Sequence, residues 1–248
     1  MIVTRRSTLA FLGTGLCAAL LPGSSMAQRA GAFTSGGRAI AVERFDPPRN
    51  RQGNGNGNGP RPAVLLLHGS DGPGERYREA ARQVAVGGYA VFLVHYLDRT
   101  GEQRAAFSSI ARNFGDWTET VRDGVGFVGA QPGIDPARIG VLGVSLGGGL
   151  GIALAAQDSR VRALVDYYGF LPSGVGANPT LPPTLILHGE ADRVVPVGNA
   201  RAFDSLLQSR GIPHEIQVYP GQGHGFTGAA QVDAARRIRS FFDRTLRG

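Results

Sequence analysis

RIGVLGVSLGGGLGIALAAQ, residues 138–157, runs from β-branched residues into glycine and then into alanine and leucine, with a single serine at the change. The first part reads as a strand and the last as a helix, so Ser145 stands at a strand-to-helix turn. Gly143, Ser145 and Gly147 have the spacing of a nucleophile elbow, where side chains two positions either side of the serine would collide. A chain with 38 glycines makes this pattern cheaply, however. Its surroundings decide whether Ser145 is a nucleophile or a small polar residue in a turn.

Outward from that turn, the hydrophobic period keeps switching between strand and helix. AVLLLH (63–68) is a continuous aliphatic run, as in a strand buried on both faces. Strands are expected at 37–47, 89–96, 139–144, 161–169, 183–189 and 214–221, with helices near 76–87, 114–130, 146–157 and 197–210. A last helix should bury Ala234, Ile238, Phe241, Phe242 and Thr245, and the one near 114–130 Phe114, Trp117, Val121, Val125 and Val128. Such alternation predicts an α/β fold: a mainly parallel sheet of about seven to eight strands with helices on both faces. Ligands then gather at the carboxyl ends of the strands, so catalytic residues should directly follow strands.

The 248 residues are 42% hydrophobic and 18% charged, the make-up of one globular domain, assigned to 28–248. All 26 basic residues are arginines, scattered among 19 acids without a basic stripe, which argues against nucleic acid. Without lysine there is no P-loop. Residues 1–27 have a basic start, an apolar stretch from Thr8 to Leu21 and small residues Ser25 and Ala27, the pattern of a secretory signal. Arg5 and Arg6 suggest the twin-arginine type, with cleavage after Ala27 and a periplasmic or secreted product. The apolar stretch is too short for a membrane span. The only cysteine, Cys17, lies within it. Residues 49–62, with their Gly-Asn repeats, are expected to form a flexible surface loop.

A serine nucleophile needs a base, and there are five histidines: His68, His95, His188, His214 and His224. His214 begins a strand, at the wrong edge, and His68, His95 and His188 come before the acid or beside the first loop. His224 follows the last strand on a glycine-rich loop. Asp192, beyond the strand at 183–189, is the acid to orient it, although it is also placed to cap the next helix. Asp166 and Glu190 compete with it. The order Ser145, Asp192, His224 is the one such a sheet requires. The N–H groups of Leu146 and Ser70 are the expected oxyanion donors. Tyr96, Trp117, Tyr168 and Phe226, with Tyr167 and Phe170, lie near strand ends or in adjoining loops and are candidate substrate contacts, each serving equally well as core. The segment 169–183 is too short and too rich in Gly and Pro for a helical lid.

LLLHGSDGPG, GYAVFLVHYLDRTG, IGVLGVSLGG, LHGEADRVVP and YPGQGHGF together resemble the α/β-hydrolases and, within them, the dienelactone hydrolase family. The resemblance implies the α/β-hydrolase fold, a Ser145, Asp192 and His224 triad, and hydrolysis of a small ester or lactone without metal or organic cofactor. The family's name-giving enzymes use cysteine in place of Ser145. They also have an arginine where this chain has Gly228, and a glutamate that is missing from HGSDGPG. A peptidase on the same fold, a non-catalytic binding protein, and a monomer or weak dimer complete the expectations.

Overall fold

Along RPAVLLL every residue after the arginine is buried, because successive side chains enter opposite apolar layers: Leu65 and Leu67 one, Val64 and Leu66 the other. The computed structural model describes residues 28–48, 59–173, 175 and 180–248. The signal assigned to 1–27, positions 49–58 of the Gly-Asn loop and part of 169–183 lie outside the described residues.

In chain order the strands are β1 (Gln28–Ser35), β2 (Arg38–Phe45), β3 (Arg61–Leu67), β4 (Ala90–Val94), β5 (Ile134–Val144), β6 (Val161–Tyr167), β7 (Thr184–Gly189) and β8 (His214–Tyr219). The helices are α1 (Glu75–Val86), α2 (Phe107–Gly129), α3 (Leu146–Ala155), α4 (Gly198–Ser209) and α5 (Gly228–Leu246), with a 3-10 turn at Tyr96–Arg99. The eight strands form one sheet in the order β1-β2-β4-β3-β5-β6-β7-β8. From β4 to β8 neighbours pair in parallel, while β1 with β2 and β2 with β4 are antiparallel. This is the expected mainly parallel α/β sheet.

Residues of α2, α3 and α4 pack in one apolar layer and those of α1 and α5 in the other. Strand β1 lacks a strong apolar alternation, and its pairing with β2 across the Gly36-Gly37 turn makes it a strand. Helix α2 begins seven residues earlier than its apolar stripe, since its first turns are largely solvated. In α5 the inward place expected of Thr245 belongs to Leu246, and the Thr245 hydroxyl donates to the Phe241 carbonyl.

Trp117 is corrected from substrate contact to core. It is fully buried, with Nε1–H donating to Thr100 Oγ1 at 3.1 Å and its ring edge-on to Tyr96. Replacing Trp117 by alanine should therefore cost about 3–5 kcal/mol of unfolding free energy, measurable by urea denaturation.

Candidate active site

Strand β5 delivers Ser145 to the carboxyl edge of the sheet and α3 starts at the next residue. Ser145 has φ 56° and ψ −115°, a backbone conformation that L-residues avoid and that functional turns retain. A β-carbon on Gly143 would lie 2.2 Å from the Gly147 carbonyl oxygen, which confirms the collision expected from the motif. The turn is tied down by the Ser145 N–H, which donates to the Tyr167 carbonyl at 3.0 Å.

Ser145 Oγ lies 2.8 Å from His224 Nε2, and His224 Nδ1 lies 2.7 Å from Asp192 Oδ2. A carboxylate accepts only, so Nδ1 carries the proton and Nε2 is free to accept the serine's. Asp192 is fully buried at its side chain. Its other oxygen, Oδ1, accepts the N–H groups of Val194 and Val195 at 2.8 and 2.9 Å. The turn-capping role and the imidazole-orienting position are thus held by different oxygens of one carboxylate.

The competitors are engaged elsewhere. Asp166 accepts the Gly169 N–H, and complete burial raises its carboxyl to about 7. Glu190 is exposed. His95 bonds Glu43 at 2.9 Å and His214 pairs with Asp204 at 3.1 Å.

Histidine 68 has a role that the sequence did not reveal. Its Nδ1 is 2.8 Å from the Gly69 carbonyl oxygen, while the Tyr96 hydroxyl donates to the His68 carbonyl at 2.7 Å. A trans peptide points its N–H opposite its C=O. Anchoring the Gly69 carbonyl therefore sets the direction of the Ser70 N–H, the expected oxyanion donor. Burial lowers His68 to about 4, so it remains a neutral donor. The Ser70 carbonyl accepts the Ala105 N–H at 2.7 Å, which fixes the loop from its far side.

Tyr96 is likewise corrected from substrate contact. It is fully buried, stacked on His68 with ring centres 4.2 Å apart, and supports the loop from beneath. Tyr168, at φ 45°, lies beside the His224 ring with centres 4.7 Å apart. Phe226 packs against Tyr167, Tyr168 and Tyr219 and is mostly buried. Phe170 lines a groove of about 790 Å³ with Phe107, Ile110, Phe114, Val194 and Val195, next to the loop that carries Asp192. Among the described residues no cluster of three or more His, Cys, Asp or Glu side chains is arranged to hold a metal.

A mostly parallel eight-stranded sheet with a serine at this turn defines an α/β-hydrolase fold. The chain belongs to the dienelactone hydrolase family, whose profile matches residues 53–243. A protein of Methylorubrum extorquens described as a candidate carboxymethylenebutenolidase is 26% identical over 186 residues, covering 67% of this chain and 64% of that protein. The match thus spans just under two thirds of that relative. Among solved structures, a dienelactone hydrolase-like promiscuous phosphotriesterase from metagenomic libraries superposes with TM-score 0.76 at 18% identity, covering 90% of this chain and 99% of that one. A puromycin-hydrolyzing peptidase of Mycobacterium tuberculosis gives TM-score 0.76 at 23% identity, covering 92% of this chain and 41% of that one. At these identities the structural matches establish the fold.

Replacing Tyr96 by phenylalanine removes only the hydroxyl that holds the His68 carbonyl. In steady-state ester kinetics, kcat should fall roughly tenfold with little change in KM.

Proposed function

We propose that the protein is a serine hydrolase that cleaves small carboxylic esters or lactones through an acyl-enzyme. The observation that carries the proposal is the unbroken relay from Ser145 Oγ through His224 to Asp192, with links of 2.8 and 2.7 Å. Family membership supports the same reading at the coarser level of a hydrolase.

Ser145 Oγ attacks the ester carbonyl carbon as His224 Nε2 takes its proton, and Asp192 holds the resulting imidazolium. The carbonyl oxygen becomes an oxyanion facing the N–H groups of Leu146 and Ser70, at the partly positive end of α3. His224 then returns the proton to the departing alkoxide. Water, deprotonated by the same imidazole, attacks the acyl carbon, and the imidazolium returns that proton to Ser145 Oγ as the acyl bond breaks and the acid leaves. A lactone follows the same steps and yields a hydroxy acid.

The test uses a panel of short-chain aryl esters and a fluorophosphonate probe. The parent should turn over esters and become labelled, and Ser145→Ala should lose label and at least about 10³ in kcat. Because the base must be neutral, kcat/KM should decline on the acid side. Labelling without ester turnover would favour a peptidase on this fold. No labelling would favour a non-catalytic binding protein.

We also propose that residues 1–27 are an export leader of twin-arginine type, on the pattern around Arg5 and Arg6. In a bacterial host the periplasmic product should begin at Gln28 by N-terminal sequencing. Changing both arginines to lysine should retain the precursor in the cytoplasm.

A further inference from the structure

His188 lies on β7, four positions before Asp192, and both side chains are fully buried. Its Nε2 is 2.9 Å from the Val195 carbonyl oxygen. A carbonyl only accepts, so Nε2 carries the proton and Nδ1 is bare. That Nδ1 is buried and finds no hydrogen-bond partner. An orphaned acceptor is a cost that leucine in the same place would not carry.

One hydrogen-bonded path runs from this imidazole to Asp192. Val195, whose carbonyl His188 holds, gives its own N–H to Asp192 Oδ1 at 2.9 Å. His188 Nε2 itself stands 3.5 Å from Asp192 Oδ2, the oxygen bonded to His224, with its one N–H given to Val195. Burial lowers the basicity of His188 and keeps it a neutral donor, and the charged groups that face it are Asp192 and His224.

We propose that His188 is a positioning residue for the relay: by holding the Val195 carbonyl it keeps the acid loop closed on Asp192, with Oδ2 aimed at His224. This inference rests on the serine hydrolase reading. Without that hold the loop slackens and the Asp192–His224 pairing weakens. Less imidazolium then persists at a given pH, and the acid limb of the rate profile moves downward.

The test compares the parent with His188→Leu and His188→Gln, the glutamine offering an N–H near the place of Nε2. For His188→Leu, kcat/KM on the plateau should fall roughly tenfold, and the acid limb should move to lower pH by about half a unit. The low-field proton resonance of His224 Nδ1–H should move upfield. His188→Gln should recover most of the rate and the parent's limb. An unchanged limb and resonance in His188→Leu would overturn the proposal, as would parallel losses of Tm and rate in both variants with no shift of the limb. Should His188→Leu not fold, His188→Asn, whose N–H lies near Nδ1 instead, should shift the limb where His188→Gln does not; equal limbs would sink the idea. Parent turnover and labelling test the hydrolase reading separately. If the parent is silent, the resonance, which needs no substrate, still decides the role of His188.

Discussion

A β-carbon on Gly147 would lie 2.2 Å from the Leu67 carbonyl oxygen and 2.6 Å from that of His68, so α3 can start where it does only with bare backbone at this contact. The first turn of the helix therefore rests on the carboxyl end of β3. The chain leaves β3 through His68, Gly69 and Ser70, which makes Ser145 and the expected oxyanion donors one packed unit. Holding Ser145 at φ 56° costs on the order of 1–3 kcal/mol. Burial of every residue of α3 offsets that strain. An added methyl at Gly147 would push the helix away from the strand and disturb Ser145 and the Ser70 peptide together.

The other half of the site is joined by main chain. The Glu190 N–H donates to the Tyr219 carbonyl at 3.0 Å and the Ala191 N–H to the Gln222 carbonyl at 2.9 Å. These bonds fasten the loop of Asp192 to the loop of His224 before any side chain is considered. A β-carbon on Gly189 would meet the carbonyl oxygens of Gln222 and Gly223 at 2.4 Å, so glycine is required for that approach as well. Asp192 can then serve two structures at once, with Oδ1 closing its own turn and Oδ2 reaching His224.

The parts legible in the sequence were those set by local patterns. The aliphatic run of β3 and the strand-to-helix change at Ser145 each depend on neighbours in the chain. Tyr96 was misjudged because a position near a strand end says nothing of depth, and Trp117 because the buried stripe of a helix can face either core or site. Only the packing of α2 over the 3-10 turn puts both at zero exposure. Strand β1 was missed because pairing, not its own composition, makes it a strand. His68 and His188 were set aside as strand-end histidines. Their work is to hold backbone carbonyls, and a sequence carries no direct signal of that.

The departures from the family's name-giving enzymes also have a local physical account. A β-carbon on Gly69 would lie 2.7 Å from the Tyr77 hydroxyl and 3.5 Å from Ser145 Cβ, so the space beside the serine is already taken. Tyr77 accepts the Gly69 N–H at 2.8 Å and donates to Asp71 at 2.6 Å, and Arg76 pairs with Asp71 at 2.8 Å. The carboxylate nearest the oxyanion loop is therefore matched by a guanidinium, and its repulsion of a developing oxyanion is reduced. Gly228 has φ 57° at the start of α5, where an arginine side chain would strain the backbone. The way α5 begins thus disfavours an arginine at Gly228, and in the first loop Tyr77, Asp71 and Arg76 already occupy the space beside Ser145.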